Sequence, residues 1–255
     1  MLEKVEYVFP RNTENEKLFE FFSRLFKDVP YANINDDKII VGFPELKPIT
    51  IFRIGNTKNV QVDIDNPKYL DLMSRGSRKS RAYPEARRLP IQEVADKLAG
   101  HVFRLDHTGI DLAMSLYSTK EWGDLLEYLG SVGNIYNYPT GEPWPFMLPA
   151  TEKEHADEII DFSVIREPRF EPVREDDQDI STLHIDIGTD LSKEEVEALF
   201  PGDKGIYFNS LENIYKAIYL DYDGEIEVRL DIRFKSPRGD FASGKWLVEE
   251  GDRIK

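Results

Sequence analysis

Leu105-Asp106-His107-Thr108-Gly109-Ile110-Asp111-Leu112 is the stretch on which the fold turns. Its last seven residues can be laid on Ile185-Asp186-Ile187-Gly188-Thr189-Asp190-Leu191 without a gap. Glycine, aspartate and leucine then coincide, 79 residues apart (Asp111 to Asp190). Both stretches open the same order of elements: a strand, a helix, then further strands. A unit that recurs in this way buries its apolar face against a copy of itself.

The unit that begins at the second copy is the cleaner one. Leu183–Gly188 reads as a strand, and Ser192 caps a helix with Glu195 at its third position and Val196 and Leu199 on one side. Strand-like runs follow at Gly205–Phe208, Ile214–Tyr222 and Glu225–Phe234. In the last, Ile226, Val228, Leu230 and Ile232 alternate with Glu227, Arg229, Asp231 and Arg233, which predicts one buried and one polar face. Asp223-Gly224 marks a hairpin turn. In the unit that begins at the first copy, a helix fits Thr119–Leu129, with Trp122, Leu125, Leu126 and Leu129 on one side. Glu158–Ile165 reads as a strand. Nearer the N-terminus, Val5–Phe9 alternates at the strand period. Thr13 and Glu16 then form a capping-box pattern ahead of a helix bearing Leu18, Phe19, Phe21, Phe22, Leu25 and Phe26. Strands are expected at Lys38–Phe43, Ile49–Ile54 and Val60–Ile64.

The fold class expected is therefore α+β, with repeated βαβββ modules forming curved mixed sheets and helices on their outer face. The modules fall at residues 1–66, 101–180 and 181–255. A basic connector with a short helix at Ile91–Leu98 occupies residues 67–100. The first module pairs either with another unit or with a second subunit, the latter giving a homodimer.

The chain has 255 residues, 40% of them hydrophobic and 12% aromatic, which supplies a real core. It contains no cysteine, which excludes disulfides and thiolate chemistry. A net charge of −15 disfavours nucleic acid and anionic lipid as partners. No apolar run is long enough to span a bilayer and the first residues lack a signal-peptide pattern, so a cytoplasmic protein is expected. Against this acidic balance stand Arg75, Arg78, Lys79, Arg81, Arg87 and Arg88. They are either a site for an anion or acidic partner, or a solvated connector whose arginines pair with the chain's own carboxylates.

The repeated element order, with His107 in Leu105-Asp106-His107-Thr108-Gly109-Ile110, resembles the vicinal oxygen chelate superfamily of glyoxalases, extradiol dioxygenases and bleomycin-resistance proteins. The resemblance implies paired modules whose cup holds a ligand or a divalent metal (Zn, Ni, Mn or Fe). It implies His107 and His184 as metal ligands from first strands, with Glu227 or Asp231 from a last strand as carboxylate ligand or catalytic base. Asp186 competes with His184, because the repeat aligns Asp186 nearest to His107 and both fall on one strand face. Glu158 and Asp161 stand in for the missing carboxylate of the middle unit. The resemblance implies a small-molecule-binding protein, with metal-dependent lyase, isomerase or dioxygenase activity as its catalytic form. The alternative is a non-catalytic protein-interaction module.

The residues also admit plainer roles. His107 and His184 read more simply as hydrogen-bonded strand histidines, and His101 and His155 as surface residues. Glu225, Glu227 and Asp231 beside Arg229 and Arg233 read most simply as ion pairs on a solvated sheet face. Tyr136, Tyr138, Trp144 and Phe146 form an aromatic cluster suited to a ligand pocket or to packing over a sheet end. Asp231-Ile232-Arg233-Phe234-Lys235 has the wrong spacing for a nuclease strand, and no Walker loop, nucleophile elbow or His-Glu-x-x-His helix occurs.

Overall fold

Alternation of apolar and polar residues builds the first strand, β1 (Lys4–Pro10). The helix after it, α1 (Thr13–Leu25), is capped one residue earlier than the sequence pattern indicates. The Asn12 side chain accepts from the Asn15 N–H, and Thr13 is already helical. Asparagine caps at least as well as threonine, so the nearer competitor takes the position. The chain continues through β2 (Ala32–Ile34), β3 (Lys38–Val41), β4 (Ile49–Gly55) and β5 (Gln61–Asp63). The computed structural model describes residues 3–42, 49–69, 87–111, 118–132, 134–137, 145–148, 162–166, 182–201 and 215–234.

Beyond the first unit lie β6 (Arg88–Pro90), α2 (Ile91–Leu98), β7 (Val102–Asp111) and α3 (Thr119–Val132). The strands β8 (Asn134–Asn137), β9 (Pro145–Leu148) and β10 (Phe162–Arg166) follow. The last elements are β11 (Thr182–Thr189), α4 (Lys193–Leu199), β12 (Tyr215–Asp221) and β13 (Glu227–Arg233). The Ser192–Glu195 capping box is present at the start of α4. The expected strand Gly205–Phe208 lies outside the described residues. No helix among the described residues is long and apolar enough to cross a membrane.

The architecture is α+β with mixed sheets. A first sheet of five strands runs β2-β3-β4-β1-β5. A second, of six, runs β10-β7-β11-β13-β12-β6, and β8 pairs with β9 apart from both. One topological move occurs three times: a strand, a helix, and a return strand parallel to the first. It joins β1 to β4, β7 to β10 and β11 to β13. The two later copies meet where β7 and β11 pair antiparallel.

Each sheet turns one face to a common core. On the first, Tyr7, Phe9 and Phe52 pack under α1, with the rings of Phe22 and Phe52 4.6 Å apart and Tyr7 stacked on Phe52 at 5.6 Å. On the second, Leu183, Ile185, Ile187, Val228, Leu230 and Ile232 are all fully or almost fully buried. Each large side chain so buried contributes roughly 1.5–3 kcal/mol. Polar ties join the two sheets through this core. The Tyr7 hydroxyl donates to Thr108 Oγ1 at 3.0 Å, and the Tyr222 hydroxyl donates to Asn15 Oδ1, whose amide nitrogen donates to the Pro10 carbonyl.

The opposite face of the first sheet holds a small charge network. Glu6 accepts from Lys4 at 2.6 Å and from Arg53 at 2.6 Å, and Lys4 also reaches Asp63 at 2.9 Å. Burial pushes the Glu6 carboxyl up, but the hydrogen bonds from Lys4 and Arg53 outweigh it and hold its pKa below the ordinary 4.5. A depressed carboxylate contributes stability above its unfolded pKa, which is lost as pH falls through the folded value. The stability gap between wild type and Glu6→Gln should therefore be widest near neutral pH and close below pH 4.5, as followed by urea melts across that range. Tyr222→Phe removes a buried donor from Asn15 and should cost about 1–3 kcal/mol at unchanged urea m-value.

Candidate functional site: a buried polar sheet face

The strands whose one face is apolar core carry charge on the other. Register settles which residues share it: Thr182, His184 and Asp186 of β11 lie beside Glu227, Arg229 and Asp231 of β13, and Gly188 beside Arg233. On the far side of β13, Tyr219 of β12 lies beside Arg229 and Ala217 beside Asp231, and Arg88 of β6 lies beside Tyr219. The alternation in Glu225–Phe234 reads correctly as two faces. The expectation of a solvated polar face does not hold: Glu227, Arg229, Asp231 and Arg233 are each at most 6% exposed.

The charges on this face are paired. Arg233 donates through Nε and Nη2 to the two Asp186 oxygens at 2.7 and 2.6 Å, tying β13 to β11. Arg229 grips both Asp231 oxygens at 2.9 and 2.7 Å along one strand. Arg88 donates to Glu227, and its guanidinium lies over the Tyr219 ring, 5.2 Å from the centroid. Among the described residues these pairs match three arginines with three carboxylates, and Arg104, crossing Gly188, is a fourth arginine on the face. Removing one partner from such a pair leaves a buried charge uncompensated.

The pairing of β7 with β11 depends on its glycines. A methyl group on Gly109 would lie 2.1 Å from Cε1 of His184, so the imidazole packs directly on the glycine backbone. Reciprocally, a methyl group on Gly188 would lie 2.7 Å from Cγ and 2.8 Å from Nε of Arg104. These are the two glycines that coincide in the sequence repeat. In each copy the glycine is the place where a long side chain of the partner strand crosses. The register slips at Asp106, so that His107 faces Asp186 while Leu105 faces Ile187. Leu105 and His107 would share a face in a regular strand. The extra residue lets Leu105 enter the core, where it is fully buried.

The sequence candidates separate on this framework. His184, Asp186, Glu227 and Asp231 all stand on the polar face, and His107 takes the register position opposite Asp186. Tyr136 and Phe146 are paired in β8 and β9. Tyr138, Trp144, His155, Glu158, Asp161 and most of the basic run (Arg75 to Arg81) lie outside the described residues. His101 is part-exposed and hydrogen-bonded to Asp190 at 2.9 Å. Glu225 leaves the polar cluster and accepts from the Val60 N–H at 2.7 Å. Tyr219 is the member that sequence reasoning missed; Arg88, read in the basic run as an anion site or as an arginine paired with the chain's own carboxylates, does pair with one of them, Glu227. A three-residue strand has no period to detect, and Arg88 reads as part of a connector.

A divalent metal held by His184 with Glu227 or Asp231 does not fit the described donors. Each carboxylate is already taken by a guanidinium, and Arg88, Arg229 and Arg233 would all repel a dication at the face. Among the described residues no three His, Asp or Glu side chains come together as a metal-binding group.

No protein-family model matches the chain, and no curated protein matches it. Among solved structures it is similar to 2,2',3-trihydroxybiphenyl 1,2-dioxygenase from Sphingomonas wittichii, at 13% identity and TM-score 0.40, covering 96% of this chain and 93% of that one. It is also similar to a variant of homoprotocatechuate 2,3-dioxygenase from B. fuscum, at 10% identity and TM-score 0.36, covering 93% of this chain and 73% of that one. An extradiol ring-cleaving dioxygenase from B. fuscum gives 11% identity and TM-score 0.35, with 94% and 73% covered. A likeness this loose bears on neither substrate nor mechanism.

Two substitutions test the geometry. Gly109→Ala forces the His184 ring off the backbone and should destabilise by about 1–3 kcal/mol, while His184→Ala in the same chain relieves most of that clash. A double-mutant cycle in urea measures the coupling. Asp186→Ala bares the Arg233 guanidinium and should cost about 3–5 kcal/mol, far more than an exposed pair such as Lys17–Glu14.

Proposed function

We propose that the chain is a small-molecule-binding protein of vicinal oxygen chelate type, whose ligand meets the polar face of the second sheet without a metal held by Glu227 or Asp231. The observation that supports this is a run of three buried ion pairs, among the described residues, on strands whose other face is ordinary core. Taking such pairs out of water costs several kcal/mol per ion, and well-packed apolar residues commonly serve stability as well or better. The fold has apolar packing at hand on the same strands, so the charges are kept for recognition rather than for stability. Lyase, isomerase or dioxygenase chemistry through a metal would need Glu227 or Asp231 released from its arginine.

The interaction-module reading has less behind it. Ile34 and Phe103 are the large hydrophobic residues exposed among those described, and two scattered side chains make no docking patch.

Elemental mass spectrometry on protein purified without chelator, with arginine side-chain NMR spectra titrated with small acids, amides and amines, tests the reading. The expected result is substoichiometric metal, unchanged in a His107→Ala, His184→Ala double mutant, and saturable movement of polar-face arginine signals. Stoichiometric metal lost in that mutant would overturn the metal-free form. Arginine signals silent to every probe would overturn ligand binding at this face.

A further inference from the structure

We infer that Arg88 is a carboxylate-binding residue and that Glu227 occupies the place of a ligand's carboxylate. This rests on the small-molecule reading above and gives that ligand a chemical class: a small organic acid bearing one negative charge.

Position distinguishes Arg88 from Arg229 and Arg233, the other two arginines with a carboxylate partner on the face. Arg233 joins the adjacent inner strands β13 and β11, and Arg229 couples alternate residues within β13, each gripping both oxygens of its carboxylate. Those pairs are fastened into the middle of the sheet. Arg88 stands on β6, the edge strand, which contributes three residues and pairs only with β12. Pro90 has no N–H to offer a further strand, and β6 is the edge of the sheet among the described residues. Of the three paired arginines Arg88 thus stands on the outermost strand, with its side chain 6% exposed.

The surroundings of Arg88 suit a planar anion. The Tyr219 ring beneath its guanidinium holds the plane in one orientation, which keeps the donor fork set for a carboxylate. That fork is already engaged by a carboxylate, Glu227, from 139 residues away in the chain. Exchanging one carboxylate for another keeps the buried cation paired, and the cost of the exchange falls on Glu227, which gives up its partner. The net charge of −15 sets the ligand's own charge, because such a field opposes a doubly charged phosphate ester far more than a monoanion.

The test uses the whole chain and two probes, sodium propionate and neutral propionamide, with sodium chloride at matched ionic strength. Glu227→Ala opens the place of the carboxylate. Its Tm should rise saturably by roughly 2–4 °C with propionate and stay still with propionamide or chloride. Asp231→Ala, whose arginine lies in the sheet interior, should show no such rise. An equal rise in both variants would reduce the effect to general charge compensation and overturn the inference. If Glu227→Ala fails to fold, the wild-type measurement decides alone. The Arg88 Nε–H signal, assigned by its loss in Arg88→Lys, should move saturably with propionate and not with propionamide. Arg88 silent while other polar-face signals follow propionamide would overturn the carboxylate class and leave small-molecule binding standing. Silence of the whole face to both probes would overturn the class as well, and the wider panel of acids, amides and amines then judges the binding reading separately.

Discussion

The close approach of β7 to β11 is the constraint on which the rest depends. At Gly109 and again at Gly188, a side chain from the partner strand lies where any Cβ would collide with it. The crossing fixes the register of the two strands, and that register fixes everything lateral to them. Asp186 then falls beside Asp231 and His184 beside Arg229, while the alternate residues Leu183, Ile185 and Ile187 face the core. A slip by one residue would exchange the two faces and drive the charged set into an apolar interior.

The charged face also explains how an acidic chain holds arginine in its interior. Arg88, Arg229 and Arg233 are each matched locally by a carboxylate. Bidentate geometry adds direction to the attraction, because a guanidinium fork accepts a carboxylate in few orientations. The pair between Arg233 and Asp186 therefore reinforces the register that the glycines impose. Packing and electrostatics specify the same alignment of β11 with its neighbours, which is the agreement between levels that a uniquely folded sheet requires.

Much of the fold was legible because long elements carry a period. The apolar stripe of α1, the alternation in β13 and the capping box of α4 are local signals, and each element formed close to where its residues indicated. The glycine repeat also marked the right place, since Gly109 and Gly188 are the crossing points of the two central strands. Burial of the polar face was not legible. Alternation reports that two faces differ, and says nothing of whether water reaches the polar one. Nor could the slip at Asp106 be read, because a bulge is defined by the partner strand. Arg88 illustrates the third limit. The basic run indicates that its arginines meet carboxylates, but the partner, Glu227, lies 139 residues away and nothing local names it.

That long pairing bears on how the protein folds. β6 precedes the whole of the middle unit in the chain, yet its neighbour in the sheet is β12, in the last. The second sheet thus cannot be completed from the middle or the last unit alone, and its edge closes only after a large loop has been drawn together. Contacts of this separation slow folding. The three topologically similar units are for this reason not interchangeable beads on a string. During synthesis the early strand must wait for a partner made much later, and until then its arginine remains in water, where its charge costs nothing.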